Sequence, residues 1–240
     1  MAAQLHIADD WRDALAAAGL DLFEALMLCE SDRCFSMHGR GQTYRIELPG
    51  GEAVFVKRNY STSLKDVCTD LWSLRAPIAP CVSEARALKR MAELDIVAPR
   101  LIAWGQRPRL AWPGAAVVVM TELTGQPLDQ FLHTDSDEDA RRAALTAAGE
   151  VTAKIYRAKL SWPDLRPKHI ILRDGPAGVL DLARMRPARG LARWPLAKQV
   201  RRFCARLKDL GCTRGDIETF LDALQLAPTK LQRELLARSG

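Results

Sequence analysis

The chain has 240 residues, 48% of them hydrophobic and 27% charged, so it can bury a substantial core without disulfides or a structural metal. Acidic residues near the amino terminus interrupt the apolar run that a secretory signal needs, and no later segment has the length and apolarity of a membrane span. We therefore expect a cytoplasmic protein. The six cysteines show no CxxC pair or metal-ligand spacing, which indicates reduced thiols without a chemical role.

The net charge of +6 is concentrated toward the carboxyl terminus. From Arg157 to Gly240 there are eighteen Lys or Arg residues against eight Asp or Glu residues. An anionic partner would explain this excess, and nucleic acid, an anionic membrane surface and a phosphorylated substrate are all compatible with it. A solvated basic face without a partner is an equally good explanation of the charge alone.

The first half of the chain predicts a small antiparallel sheet. The first thirty residues indicate one or two helices that precede this sheet as an appendage. Three β-rich runs follow, separated by glycine-containing segments, and predict three antiparallel strands joined by hairpins. Ser83 is expected to cap a helix from Glu84 to Leu94, and two further strands come after it. The five predicted strands cover residues 34–37, 43–48, 53–56, 100–104 and 115–120.

The second half is mostly helical. A long amphipathic helix is expected from Asp139 to Lys159, and two more helices are expected after Pro195 and Thr213. A short β-rich insert spans residues 170–181. We place a domain boundary near residues 124–126, so that 1–123 form an amino-terminal helix with a β-rich lobe and 124–240 form a helical lobe. The fold class is therefore α+β, with two lobes.

The first half also contains residues that phosphoryl transfer requires, namely a flexible loop over the phosphates and a lysine that binds them. Gly39, Arg40 and Gly41 lie in the first hairpin, where small side chains let backbone amides approach phosphate oxygens. Lys57 ends the third strand, and Glu84 opens the next helix, where it could hold the lysine amine. Taken singly, these residues also fit a plain turn, a solvated lysine and a helix start.

A second group of residues lies in the helical half, from Asp164 to Leu172 and then around Asp181. This order resembles a kinase catalytic loop followed by a metal-binding aspartate. In that pattern Asp164 accepts the proton of the substrate hydroxyl, and Asp181 binds Mg²⁺ between the β- and γ-phosphates. His169 stands where a metal-binding asparagine is usual, so it holds metal or orients a phosphate or water. Either aspartate alone could be a turn residue, but both occur downstream of Lys57 and Glu84.

The strand that ends at Met120 leads into a segment that resembles the hinge between kinase lobes. The resemblance places Met120 at the back of the adenine pocket, with Thr121 and Leu123 offering backbone hydrogen bonds to adenine.

Together these segments resemble the lipopolysaccharide kinase family, which phosphorylates heptose or Kdo sugars of the lipopolysaccharide core. The resemblance covers about residues 35–220, and a histidine five residues after the catalytic aspartate favours this family over protein kinases. It implies a two-lobed protein-kinase-like fold that uses ATP and Mg²⁺. The expected partner is the core or its lipid-linked precursor, with peripheral attachment to the anionic inner-membrane surface on its cytoplasmic face. A basic run from Arg184 to Arg202 suits both. No nucleic-acid motif accompanies this run, so we do not expect nucleic acid as a partner.

One position departs from the family pattern. The pattern has histidine two residues before the catalytic aspartate, whereas this chain has Trp162, which cannot donate and accept hydrogen bonds as histidine does. A catalytically degenerate, ATP-binding scaffold is therefore an alternative to an active enzyme. A phosphotransferase of the aminoglycoside or choline kinase type is another, although such enzymes usually have an acidic substrate site and this carboxyl-terminal part is basic.

Overall fold

The computed structural model describes residues 2–31, 34–38, 41–72, 76–107, 112–134, 137–188 and 193–225. The chain divides into two compact units. Unit 1 comprises Met1–Arg90 and Pro99–Glu122, and unit 2 comprises Met91–Ala98 and Leu123–Gly240. Within the described ranges, no helix combines the length and the apolar character needed to cross a bilayer.

Unit 1 is built on a six-stranded antiparallel sheet with the strand order β1-β5-β6-β4-β3-β2. Its elements, with α4 continuing into unit 2, are β1 (Gln4–Ile7), α1 (Arg12–Ala17), α2 (Phe23–Leu28), β2 (Cys34–His38), β3 (Gly41–Glu47), β4 (Ala53–Asn59), α3 (Leu64–Trp72), α4 (Pro80–Glu93), β5 (Leu101–Gln106) and β6 (Ala116–Thr121). The hairpins β2-β3 and β3-β4 agree with the predicted strands. The helix α3 was not predicted.

The amino-terminal segment contains the two helices that the sequence indicated, α1 and α2. It is not an appendage, however, because it also adds the strand β1 to the sheet. β1 pairs with β5, from Gln4 opposite Gln106 to Ile7 opposite Ala103. A strand of four residues offers too few alternating positions for its periodicity to stand out. The helices α1 and α2 then pack on the sheet. Four apolar side chains from these helices and from the turn between them belong to the core of the sheet: Leu15, Leu20, Phe23 and Leu26.

The strand β4 presents different residues to the two faces of the sheet because successive side chains point to opposite sides. Val54 and Val56 are buried in the core that includes α1 and α2. Lys57 points the other way and meets Glu84 of α4. α4 begins at Pro80, a residue well suited to the first turn of a helix, so Ser83 lies inside the helix and does not cap it. This corrects the predicted helix start.

Arg58 fastens α2 to the sheet. Its side chain is almost fully buried, and its Nη1 donates hydrogen bonds of 2.7 Å to the carbonyl oxygens of both Met27 and Cys29. Its Nε and Nη2 donate to Gln42 Oε1 at 3.1 and 2.7 Å, and the guanidinium lies 4.7 Å from the centre of the Tyr44 ring. Because a positive charge at the carboxyl end of a helix is favourable, this contact also stabilises α2.

Replacing Arg58 by methionine is expected to lower the free energy of unfolding by about 3 kcal/mol, since it leaves several buried acceptors without donors. Urea unfolding followed by far-UV circular dichroism measures the loss. The matched control is Arg12→Met, which removes an exposed ion pair to Asp9 and should cost less than about 0.5 kcal/mol. Equal losses in the two variants would show that Arg58 does not anchor α2.

Unit 2 is mainly helical, with two small sheets of order β10-β9-β7 and β11-β8. Its further elements are β7 (Gln126–Pro127), α5 (Leu128–Thr134), α6 (Glu138–Arg157), β8 (Leu160–Ser161), β9 (Ile170–Leu172), β10 (Gly178–Val179), β11 (Arg186–Pro187), α7 (Arg193–Asp209) and α8 (Arg214–Leu224). Thr213 and Asp216 form a capping box at the start of α8, in agreement with the helix predicted there. Gly149 lets α6 and α8 pack closely, because a Cβ at this position would lie 2.6 Å from the Ala223 Cβ.

Candidate active site

Unit 1 brings Lys57 and Glu84 together. The distance from Lys57 Nζ to Glu84 Oε2 is 2.8 Å, and the Glu84 side chain is only 4% exposed. A carboxylate this deeply buried is strongly destabilising without a cation, so the pair holds the lysine amine at a defined place on the sheet. Glu84 lies in the second turn of α4 and not at the helix start, because α4 begins at Pro80.

The glycine-rich hairpin is only partly described. Gly39 and Arg40 lie outside the described residues. Gly41 begins β3 and pairs with Asn59 of β4. A Cβ on Gly41 would come within 2.6 Å of the Arg58 carbonyl oxygen, so close strand packing by itself requires glycine here. A phosphate contact by Gly41 stays a prediction.

Met120 and Thr121 are the last two residues of the strand β6. Met120 is buried and lies opposite Phe55 of β4. The Thr121 backbone N–H donates to the Arg100 carbonyl at 3.0 Å, and its hydroxyl accepts from the Arg100 N–H at 2.9 Å. An adenine contact by Thr121 would therefore have to use its carbonyl oxygen.

Leu123 belongs to unit 2, where it packs against the three-stranded sheet β10-β9-β7. A Cβ on Gly178 of β10 would lie 2.8 Å from Leu123 Cδ2 and 3.2 Å from Val97 Cγ1. Two residues further on, Gly125 has a φ of +141° and sits against the Leu172 carbonyl, where any side chain would collide. The predicted hinge segment is thus held tightly to β9 and β10.

Asp164 lies in the loop between β8 and β9 and is 8% exposed. Its Oδ1 accepts a hydrogen bond of 3.3 Å from Nη1 of Arg184, whose own side chain is 67% exposed. The loop then makes one turn of 3-10 helix, Pro167–His169, before β9. Because Arg184 is solvated, a substrate hydroxyl could approach the Asp164 carboxylate beside it or in its place. The carboxylate could then accept the hydroxyl proton.

The arrangement of His169 and Asp181 suits a divalent cation. His169 Nδ1 lies 2.7 Å from the Asp164 carbonyl oxygen, which only accepts, so Nδ1 carries the proton. In the neutral ring Nε2 then has a lone pair, and it lies 3.7 Å from Asp181 Oδ2. Two acceptors that face each other repel unless a proton or a metal ion lies between them.

The Asp181 carboxylate fits Mg²⁺, which takes one or two carboxylates and completes its shell with water and nucleotide phosphates. The His169 imidazole is a softer ligand than Mg²⁺ prefers, so orienting a phosphate or water suits it better. Within the described ranges no cluster of three His, Cys, Asp or Glu residues forms a cage that could bind a metal alone. Asp181 also has a φ of +54°, in the left-handed region that aspartate enters at some cost. Such strain is concentrated at functional sites.

Burial lowers the pKa of His169 below its ordinary value, and this exceeds the opposing effects of the Asp164 carbonyl and the Asp181 charge. The unfolded chain therefore binds the histidine proton more readily than the folded one. In metal-free protein, the stabilising contribution of neutral His169 should be complete above the unfolded pKa of about 6.5. It should be lost as the pH falls through the lower folded pKa.

Urea unfolding in EDTA between pH 7.5 and 5 tests this expectation. The native protein should lose more stability on acidification than His169→Asn, which cannot titrate in this range. Parallel pH profiles for the two proteins would contradict it.

Trp162 makes a hydrogen bond to the segment that carries Asp181. Its side chain is fully buried, and its indole Nε1–H donates to the Asp181 backbone carbonyl at 3.4 Å. Its backbone N–H donates to Gln199 Oε1 at 3.1 Å, and Gln199 Nε2 donates to Ser161 Oγ at 2.7 Å. The indole thus supplies a donor that ties the two aspartate-bearing segments together.

Trp162→Phe is expected to reduce turnover about fivefold, because one hydrogen bond that orients Asp181 is worth about 1 kcal/mol. Trp162→His restores a donor and should recover part of the loss if its ring reaches the same carbonyl. Phosphate transfer at saturating ATP, with circular dichroism to check folding, measures both. Equal activity in Phe and native proteins would mean that the indole donor has no role in turnover.

The segment after Asp181 is short and returns at once to the strand that precedes the catalytic loop. β11 pairs with β8, Arg186 opposite Ser161 and Pro187 opposite Leu160, and the Ala188 N–H donates to the Lys159 carbonyl at 2.7 Å. This leaves no room for the long activation segment of protein kinases before β11.

Two residues near the site were not identified from the sequence. Arg184 was seen only as part of a basic run, and Gln199 was not singled out. Arg184 follows Asp181 by three residues. This short spacing is the signal in the sequence that could have placed Arg184 near the predicted catalytic loop. Gln199 lies far from Trp162 in the chain, and no local pattern points to their contact.

Comparison with known proteins agrees with these observations. Residues 29–223 match the sequence profile of the lipopolysaccharide kinase (Kdo/WaaP) family. The chain belongs to this family. Its fold is similar to a solved structure titled "WaaP in complex with acyl carrier protein", with a TM-score of 0.75 and 21% sequence identity over 98% of each chain. A search of curated proteins finds no match.

The family assignment confirms several predictions. The chain has the mixed helix-and-sheet fold of a protein-kinase-like kinase, as expected. As a lipopolysaccharide kinase it is a phosphotransferase that acts on the lipopolysaccharide core. The family also implies the use of ATP and usually of a divalent metal ion.

Proposed function

We propose that this kinase transfers the γ-phosphoryl group of ATP to a hydroxyl of a heptose or Kdo sugar in the lipopolysaccharide core. The observation that carries this proposal is the geometry of Asp164, His169 and Asp181. One ring nitrogen of His169 is hydrogen-bonded to the catalytic loop, and the other faces the Asp181 carboxylate. His169 therefore links the segment of the candidate base, Asp164, to the candidate metal ligand, Asp181.

In unit 2, Asp164 orients the acceptor hydroxyl and receives its proton. Asp181 holds Mg²⁺, and His169 either completes the metal site or orients a phosphate or water. When bound, Mg²⁺ neutralises charge on the β- and γ-phosphate oxygens. Trp162 keeps the Asp181 backbone in place through its indole N–H.

In unit 1, Lys57 binds the α- and β-phosphates while Glu84 fixes the position of its amine. The hairpin of Gly39, Arg40 and Gly41 contacts the phosphates through backbone amides. Adenine binds to the backbone of Thr121, beside Met120, and to the backbone of Leu123, which belongs to unit 2. Residues 1–123 thus form the nucleotide-binding lobe, and residues 124–240 form the catalytic and substrate lobe.

The enzyme works on the cytoplasmic face of the inner membrane, to which it attaches peripherally. The exposed cations of α7, among them Lys198, Arg201 and Lys208, are attracted by anionic lipid headgroups, an interaction of about 1 kcal/mol for each Lys or Arg near the surface. Flotation with vesicles of phosphatidylglycerol against vesicles of phosphatidylcholine tests this attachment. Equal binding to both would contradict it.

Transfer of radiolabelled γ-phosphate from Mg-ATP tests the function. The acceptors are lipopolysaccharide lacking core phosphate, the same material with its phosphate, a generic protein substrate, kanamycin and choline. Label should enter the lipopolysaccharide that lacks core phosphate, and Lys57→Met protein serves as the blank. Mild acid hydrolysis and mass spectrometry of the labelled core then identify the sugar.

The other outcomes separate the alternatives. Label in kanamycin or choline would indicate a small-molecule phosphotransferase. ATP binding without transfer to any acceptor would indicate a degenerate scaffold. Absence of ATP binding would refute the nucleotide site itself.

A further inference from the structure

Several guanidinium groups gather beside the catalytic loop. Arg184 donates to Asp164 Oδ1, as described above. From α7, Arg206 Nη1 donates to the Leu165 carbonyl at 3.4 Å. Arg166 is the next residue in the loop, and Arg202 precedes Arg206 by four residues, so both α7 arginines lie on the same face of the helix. Arginines from two other segments, Arg184 after β10 and Arg206 of α7, thus contact a loop that carries Arg166 itself.

Among the described residues, the charges that act on Arg206 come from two arginines, Arg166 and Arg202, and two aspartates, Asp164 and Asp209. Burial lowers the pKa of Arg206, and the charges of Arg166 and Arg202 lower it further. The carboxylates that oppose this effect are Asp164, which already accepts a bond from Arg184, and Asp209. Arginines that repel one another at a partly buried place are stabilised when an anion binds between them.

We propose that Arg166, Arg202 and Arg206 form a subsite for an oxyanion, a phosphate or a carboxylate, carried by the acceptor in addition to the reacting hydroxyl. This rests on the proposed function, because it takes Asp164 as the base. The planar guanidinium fork matches both kinds of oxyanion with paired hydrogen bonds. Arg184 is not part of the subsite, since it lies on the carboxylate that receives the hydroxyl proton.

The γ-phosphate of ATP is the other anion that could come near these arginines. A γ-phosphate that reacts must lie next to Asp164 itself, where Arg184 is placed. Arg202 and Arg206 instead extend along α7, with Cα atoms about 6 Å apart along the helix axis, and Arg202 is solvent-exposed. A subsite that runs from Leu165 along a helix face suits a group displaced from the reacting hydroxyl, and such a group belongs to the acceptor.

Steady-state kinetics of Arg202→Gln and Arg206→Gln test the subsite, with Arg214→Gln as the matched control. Arg214 is exposed on α8 and pairs with Glu218. Each test variant should raise KM for lipopolysaccharide about tenfold, the effect of one charge-assisted hydrogen bond, and leave KM for ATP unchanged. A rise in KM for ATP alone, or unchanged KM for the acceptor, would overturn the proposal. Arg202 is exposed, so its variant folds normally even if Arg206→Gln does not.

A binding measurement separates this proposal from the proposed function. Calorimetry with deacylated core oligosaccharide needs no turnover, and three preparations are compared: intact, treated with hydrogen fluoride to remove phosphate, and carboxyl-reduced. The native protein should bind the intact material more tightly than Arg202→Gln does, and the treated preparation that loses affinity identifies the oxyanion. If Arg202→Gln loses affinity for the oligosaccharide but the native protein transfers no phosphate, the subsite is supported and the proposed function is refuted. Transfer to lipopolysaccharide with equal binding by native and variant proteins would do the reverse.

Discussion

Asp164→Asn is expected to lower turnover about 10³-fold, within the range that a positioned general base contributes. Asparagine has nearly the same shape and can still accept the hydrogen bond from Arg184, but its amide cannot take the proton of the acceptor hydroxyl. The loss should appear in kcat, with the KM for ATP unchanged, because the role proposed for Asp164 is on the acceptor and not on the nucleotide. Transfer of labelled phosphate to lipopolysaccharide under saturating ATP measures it.

The matched control is Asp174→Asn, an exposed aspartate in the turn between β9 and β10. It removes the same charge from the connection on the other side of β9 and should keep turnover within about twofold of native, as most surface substitutions do. A comparable loss in both variants would mean that charge near the sheet, and not a base at position 164, governs the rate.

Asp181→Asn is expected to reduce turnover by about 10²- to 10³-fold, the effect of removing one group that stabilises developing charge. Loss of the carboxylate weakens the metal site, so the Mg²⁺ concentration needed for half-maximal activity should also rise. Asparagine tolerates the left-handed backbone that Asp181 adopts, so the backbone conformation is preserved. A titration of activity with Mg²⁺ measures both effects.

Asp181→Gly separates the carboxylate from the backbone. Glycine adopts a positive φ without strain, so the left-handed turn is kept while every side-chain ligand is removed. We expect Asp181→Gly to be at least as inactive as Asp181→Asn, with a native melting temperature. An active glycine variant would show that the turn, and not a metal-binding carboxylate, is what the enzyme needs at this position.

Elements with enough alternating or periodic positions could be predicted from the sequence. The hairpins of β2, β3 and β4 and the helix after Thr213 were recognisable from local pattern and capping alone. The strand β1 was missed because its four residues are stabilised by β5, about 100 positions later. The start of α4 was misplaced because a serine three residues further on offered a competing cap.

The candidate site could be predicted as a set of residue types in order, but not as a set of contacts. The spacing of Asp164, His169 and Asp181 indicated a catalytic loop and a metal ligand. The hydrogen bond from the Trp162 indole to the Asp181 carbonyl spans 19 residues and depends on how the β9-β10 hairpin folds back. The sequence suggested that tryptophan is a poor substitute for histidine, whereas the structure retains a donor at this place.

The strand order of unit 1 bears on how the protein folds as it is synthesised. β6 is the last strand of the sheet to be made, yet it lies between β5 and β4 and is buried along Ala116–Met120. At about 5–20 residues per second, several seconds pass between the emergence of β4 and that of β6. During this time the nascent chain exposes the unpaired edge of β4, which carries Val54 and Val56, and such edges recruit other strands. A chaperone that binds nascent chains is therefore expected to raise the soluble yield more when translation is slow.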